Sequence, residues 1–275
     1  MGSLISLDAL GEVANNLINK LSSATGWVVT HSTPKREAIS TYIKGIQESD
    51  LDPLTKAVLI SNAKKTIEEY SNQCSVVQNA VNSLKPTAKP EKVDTDWINQ
   101  FMDKARLVSD ADFQLIWGRI LAEECNNPNS MPKGLLFALE KMDKKDATDF
   151  SAVCSVSVEF SSDERVTYSP IIRLRKYEDF YKNAGITYER IVDLQSIGLV
   201  QTEVGLSDDL YIIDSSKASG ILRYHDQTYV IPEDKDFFYV GSVIFTRIGE
   251  ALCKAVTPVK HDDFFEDYCI PHLWN

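Results

Sequence analysis

Apolar positions change their rhythm along the chain, and each rhythm predicts a different element. Ile60, Ala63, Ile67, Tyr70, Cys74, Val77, Val81 and Leu84 follow alternating spacings of three and four. On a helix that spacing lays a narrow apolar seam along one side. Asp52-Pro53 is a good start for it, because aspartate caps free N–H groups and proline at the first helical position lacks only an N–H that would be unpaired anyway. A shorter seam runs through Leu7, Leu10, Ala14, Leu17, Leu21 and Ala24, and Ala38, Ile39, Tyr42, Ile43 and Ile46 make an amphipathic helix between the two. Residues 1–85 are therefore expected to form a helical bundle or coiled-coil region. The mixture of residue types in the long seam favours the bundle. If the seam instead joins copies of the chain, Ile60, Ile67, Tyr70, Cys74, Val77, Val81 and Leu84 are the candidate oligomer contacts.

Pro86 and Pro90 then break the pattern, and residues 86–93 read as a linker. From 94 to 158 the apolar positions return at helical spacing, as in Phe113, Ile116, Trp117, Ile120 and Leu121. Ser109 with Asp112 reads as a capping-box start for that helix, and the run from Asn126 to Asn129 stops it. Leu135, Leu136 and Leu139 follow, then an Asp143 cap before Ala147, Phe150, Val153 and Cys154.

Beyond residue 159 the texture becomes mixed. A short helix near 177–181 leads to Gly185, then a Thr187 cap opens a helix with Ile191, Leu194 and Ile197 on one face, ending at Gly198 before Leu199-Val200. Strands are expected at 210–213, 221–224, 228–231 and 237–240, and Thr246 opens a last helix. The fold class is mainly α with a smaller α+β part. Its C-terminal domain, residues 159–275, has a winged-helix-like order of elements, with Ile191, Leu194, Ile197, Leu199, Ile248 and Leu252 in one core.

One stretch carries a resemblance. Asp96-Trp97, Phe101, the string KARLVSD from Lys104 and the string LIWGRILA from Leu115 resemble the signature of a bacterial family of unknown function. Its members join a helical, often coiled-coil, N-terminal region to this module and a C-terminal domain. More loosely, the stretch is similar to Abi-alpha-type phage-defence proteins. The chain departs from the family pattern at Glu123, where glycine is usual, and at residues 131–134. The resemblance implies no catalytic residues, and it implies phage defence only by association.

Charge narrows the function. Residues 1–85 carry 8 basic and 8 acidic groups, residues 86–158 carry 9 and 12, and residues 159–275 carry 12 and 20. The net charge of −11 thus falls wholly after residue 85. Duplex binding needs a surplus of Lys and Arg to neutralise phosphates, and the helix after Thr187 offers only Arg190 against Glu189 and Asp193. Arg173, Arg175 and Lys176 form the one basic cluster. With Arg190 they are the candidate nucleic-acid contacts of an alternative reading, a winged-helix regulator.

No HExxH, GxSxG, phosphate loop or GxGxxG occurs, so no catalytic, metal or cofactor residues are assigned. The histidines His31, His225, His261 and His272 stand apart. His261-Asp262-Asp263 is the nearest approach to a metal cluster, but adjacent residues rarely converge on one ion. The cysteines Cys74, Cys125, Cys154, Cys253 and Cys269 are irregularly spaced and sit at apolar positions, which points to a reducing cytosol. The first residues have no basic region, so no secretory leader is expected; no apolar run is long enough to span a bilayer, and the Met-Gly start is a chance match to a myristoylation pattern. The last fifteen residues combine four acids with Phe264, Phe265, Tyr268 and Trp274. These aromatics are expected to dock back on the domain, or else to serve as a partner-binding tail. The expectation is a cytoplasmic, non-enzymatic interaction or assembly protein with a protein partner or a second copy, and not a membrane.

Overall fold

The computed structural model describes residues 11–28, 35–162, 165–202, 211–214, 218–235 and 237–274. Leu7, Leu10, His31 and Leu210 lie outside the described residues. The chain is mainly helical with smaller antiparallel sheets, and it divides into two compact units, Met1–Met131 and Pro132–Asn275.

The first unit is all helical: α1 (Glu12–Thr25), α2 (Lys35–Gln47), α3 (Pro53–Val81), α4 (Thr95–Ala105) and α5 (Ala111–Asn126). Asp52 caps α3 as its sequence implies, accepting the N–H groups of Leu54 and Thr55. The start of α5 differs from the expected box: Asp110, not Ser109, is the cap and accepts from Asp112 and Phe113. A carboxylate makes the stronger bond to a helix N-terminus.

Helices α3 and α5 cross in close contact. A Cβ at Gly118 would meet the Asn79 side chain and stand 2.9 Å from both the Ala80 nitrogen and the Val76 oxygen. Ala80 at this contact and Ala122, one turn beyond Gly118 on α5, are also buried. Small residues at the crossing let the backbones touch, and large ones close around it. Trp117 is 2 % exposed and lies 5.2 Å from the ring of Phe101, which stacks on Trp97 at 5.1 Å. Amide side chains of α3 satisfy the carbonyls left open at the end of α4: Asn72 donates to Arg106 O and Gln73 to Met102 O, each at 2.9 Å.

The long seam is only partly buried. Cys74 and Val77 are buried, Ile60, Ile67, Tyr70, Val81 and Leu84 are half-buried, and no residue of α3 before Asn72 is buried. The reason is reach. α5 covers the far end of α3, and the near end meets chiefly α2, leaving Leu54 74 % and Val58 50 % exposed.

The proline-rich stretch 86–93 is anchored at two points while most of its side chains stay exposed. Pro90 and Val93 are buried, Lys89 N donates to Cys125 O at 2.7 Å, and Lys85 N donates to the Asn126 side chain at 2.9 Å. Glu124, 1 % exposed, accepts the N–H groups of Asn129 and Met131 at 2.7 and 2.8 Å and so ties down the loop after α5. Its burial raises the carboxyl above the ordinary range while those bonds pull it back.

The second unit opens with α6 (Lys133–Lys141) and α7 (Lys144–Ser155), followed by β1 (Ser157–Ser162), β2 (Arg165–Pro170), α8 (Glu178–Asn183), α9 (Tyr188–Ser196) and β3 (Val200–Thr202). Then come β4 (Tyr211–Asp214), β5 (Ala218–Tyr224), β6 (Gln227–Val230), β7 (Phe237–Gly241), β8 (Val243–Phe245) and α10 (Arg247–Cys253). The sheets are antiparallel: β2-β1-β5-β6 in one, β3 with β8 and β4 with β7 in two ribbons. The β1–β2 hairpin was not expected. Contacts also divide the expected 94–158 module: α4 and α5 belong to the first unit, and α6 and α7 pack on α10 and α9 in the second.

Thr246 joins two of these elements. Its hydroxyl donates to Gly198 O at 2.6 Å and accepts the Gly249 N–H at 3.1 Å, capping α10 while holding the turn after α9. α10 lies so close to β3 that a Cβ on Gly249 would overlap the Leu199 carbonyl oxygen. Ile191, Leu194, Leu199 and Leu252 are buried in this core, and Ile197 and Ile248 are half-buried at its margin.

Candidate functional site

Two helix starts shape a cleft of the second unit. The residues before α8 and the first turn of α9 enclose about 550 Å³ lined by Leu174, Arg175, Glu178, Lys182, Tyr188 and Glu189, with Ile186 and Thr187 behind. Thr187 caps α9 through the Arg190 N–H at 3.5 Å. Tyr188 and Val192 remain 53 % and 41 % exposed on α9, beside exposed Glu189 and Asp193.

A buried carboxylate sets which side of α9 faces out. Asp149 of α7 is 2 % exposed. Its Oδ1 lies 3.2 Å from Arg190 Nη1, and its Oδ2 accepts from Lys145 at 3.0 Å. The Lys145 ammonium also reaches Asp193 at 2.8 Å, and these two carboxylates push its pKa up. Arg190 further donates to Gly185 O at 2.7 Å. The one basic side chain on α9 is thus bound to its own unit.

The other candidate contacts divide. Arg173 is 3 % exposed and belongs to the interior. Arg175 borders the cleft, and Lys176 is exposed, its ammonium 5.8 Å from the Tyr177 ring. Arg173 and Arg190 therefore do not join Arg175 and Lys176 in one exposed basic surface. In the first unit, the Tyr70 hydroxyl donates to Val28 O at 2.7 Å and its ring stacks on Trp27.

The aromatic tail docks back. Phe264 and Phe265 are 0 % and 1 % exposed, against the Tyr224 ring at 4.9 and 5.7 Å. Tyr268 stacks on Phe180 at 4.0 Å and meets Tyr177 edge-on at 5.2 Å. Trp274 stands edge-on to Phe238 at 6.3 Å, and Tyr239 N donates to Leu273 O. Phe264 and Phe265 are core residues, because burying their rings stabilises more than exposing them to await a partner.

His261 pins the start of this tail. Its Nε2 lies 2.9 Å from Ser155 Oγ, and its backbone N–H donates to the Tyr224 hydroxyl, which donates to Ser155 O at 2.8 Å. Ser155 Oγ also donates to Ala152 O at 2.6 Å, an arrangement in which an Nε2–H tautomer of His261 would donate to the serine oxygen. The residues His261, Asp262 and Asp263 do not converge: among the described residues no three His, Cys, Asp or Glu side chains are grouped as metal ligands.

Burial holds the imidazoles of His225 and His261 below the ordinary range; for His225, Lys260 and His261 add to the depression and Asp226 opposes it. Groups depressed on folding contribute stability that is present above their unfolded pKa, about 6.5, and lost as pH falls through the folded value. The second unit should therefore melt at a constant temperature above about pH 7 and at falling temperatures below pH 6.5. Circular dichroism melts across that range check this, and His261→Asn should flatten the fall.

Sequence reasoning missed Asp149 as the anchor of α9. Its spacing of four from Lys145 was a legible signal, but its long-range partner Arg190 was not.

A family model described as a protein of unknown function (DUF2806) matches residues 61–269. No curated protein and no solved structure matches the chain.

Proposed function

The chain belongs to the DUF2806 family of proteins of unknown function, and from that premise we propose a non-enzymatic protein-interaction and assembly protein whose α8–α9 cleft receives a protein partner. The observation that carries the reading is the inward turn of Arg190 onto Asp149 and Gly185. It leaves the outer side of α9 with Tyr188, Glu189, Val192 and Asp193, an apolar and acidic surface. With Arg175 and Lys182 of the cleft balanced by Glu178 and Glu189, the site carries no surplus of positive charge for a phosphate backbone, whereas its exposed Tyr188 and Val192 suit an apolar protein side chain.

In this reading the second unit is an elaborated winged helix. Support comes from the order α8, α9, β3, β8, with β4 and β7 extending the wing and α10 closing the core. Assembly through α3 is part of the same proposal, supported by the exposed Leu54 and Val58. A coiled-coil contact there would make sedimentation of the full chain depend on Val58, so Val58→Glu should lower an assembled mass. A cytoplasmic location and a role in phage defence complete the proposal; the latter rests on the resemblance of the LIWGRILA region alone. No helix among the described residues is long and apolar enough to cross a membrane.

The test is fluorescence anisotropy of the full chain with random and genomic-library duplexes at near-physiological salt. We expect no sequence-selective binding, and at low salt only weak binding that fades steeply as salt rises. Submicromolar, selective binding would replace this reading with the nucleic-acid regulator. In parallel, Val192→Glu should abolish binding of a protein partner while leaving the melting temperature within a few degrees.

A further inference from the structure

A second cavity, independent of the cleft, holds two of the cysteines. Cys154, near the end of α7, and Cys253, the last residue of α10, face one cavity. Both border a half-open space of about 240 Å³ that Arg223, His225 and Lys254 also line. Both are free thiols, 2 % and 6 % exposed. The remaining cysteines line neither this cavity nor the cleft.

Juxtaposed thiols at a solvent-connected cavity can be oxidised to a disulfide, whereas an isolated buried thiol stops at slower, irreversible products. We propose that Cys154 and Cys253 form an oxidisable dithiol, in which Cys253 reacts first with a small hydroperoxide entering the cavity and Cys154 resolves the product. Cys253 is the more exposed of the two, so it is the sulfur a peroxide entering the cavity meets first. Attack of the Cys253 sulfur on the peroxide oxygen breaks the O–O bond, and the thiol proton goes to the leaving oxygen, giving a sulfenic acid and one molecule of alcohol or water. Cys154 then attacks that sulfur, the S–O bond breaks, and the hydroxyl leaves as water with the Cys154 proton. The sum is two thiols and one hydroperoxide going to one disulfide, one water and one molecule of alcohol (or a second water from hydrogen peroxide).

Burial raises the Cys154 thiol well above its ordinary range. It therefore resolves slowly at neutral pH, and the sulfenic acid should accumulate transiently.

The test treats the native full chain with hydrogen peroxide and follows intact mass, then maps a non-reduced digest. The expected product has lost two hydrogens and contains a single linkage, Cys154 to Cys253, reversed by dithiothreitol. Cys154→Ser should stop at a sulfenic acid that dimedone traps on Cys253, and Cys253→Ser should be at least tenfold slower to lose thiol. If either variant fails to fold, the wild-type digest still decides. Five intact thiols in the folded chain after treatment would overturn the proposal, as would a disulfide joining any other pair.

Discussion

Trp117→Ala should destabilise the first unit by about 3–5 kcal/mol, the range for removing a fully buried large aromatic from a core. The site predicts the upper part of that range. Trp117 is 2 % exposed and sits against Phe101, itself 0 % exposed and stacked on Trp97. Truncation would remove an aromatic contact and leave a void next to the tight α3–α5 crossing, where small residues already hold the backbones together. The two helices cannot close further into that void, because the backbone at Gly118 already stands against Val76 and Ala80 of α3. In thermal denaturation of the full chain, the transition of this unit should fall by on the order of 10 °C. Trp117→Phe should recover most of it. An unchanged melting temperature combined with lost partner binding would move Trp117 from core to interface.

The elements legible in the sequence were those whose signals are local. Asp52, Asp143, Thr187 and Thr246 each cap the helix they were expected to cap, because a cap is satisfied by backbone groups two or three residues away. The β1–β2 hairpin had a signal too, in the alternation Val156, Ser157, Val158, Glu159, Phe160. It begins directly from the end of α7, so the helical spacing of Val153 and Cys154 masked the change of period. What stayed illegible was direction and reach. Whether Arg190 points at solvent depends on Asp149, a residue of another helix. Whether the α3 seam is covered along its length depends on where α5 crosses it, and the seam spacing is the same in both halves. Pro86 and Pro90 looked like a linker because proline ends helices. It does not exclude the chain from a core, and the buried Pro90 shows how the stretch is used.

Gly249→Ala should cost the second unit about 3 kcal/mol, the upper end of the usual range for forcing atoms into a packed interior. The atom that a new Cβ would overlap is the Leu199 carbonyl oxygen, and backbone cannot rotate aside as a side chain can. That carbonyl also accepts the Thr246 N–H at 3.1 Å, and Thr246 holds both Gly198 O and the Gly249 N–H. Moving α10 outward to admit the methyl group would therefore loosen the cap of α10 and the turn that ends α9 together. Helix α9 carries Tyr188 and Val192, so the damage should reach the cleft without touching a residue that lines it. Hydrogen exchange is the discriminating measurement: protection should fall first in β3, β8, α10 and the end of α9, while α3 and α5 keep theirs. The control is Gly45→Ala on α2, where nothing lies within 4 Å of the added atom and alanine is the better helix former by about 1 kcal/mol. If Gly249→Ala leaves exchange unchanged, α10 is not held against β3, and the order of elements that supports the winged-helix reading loses its packing rationale.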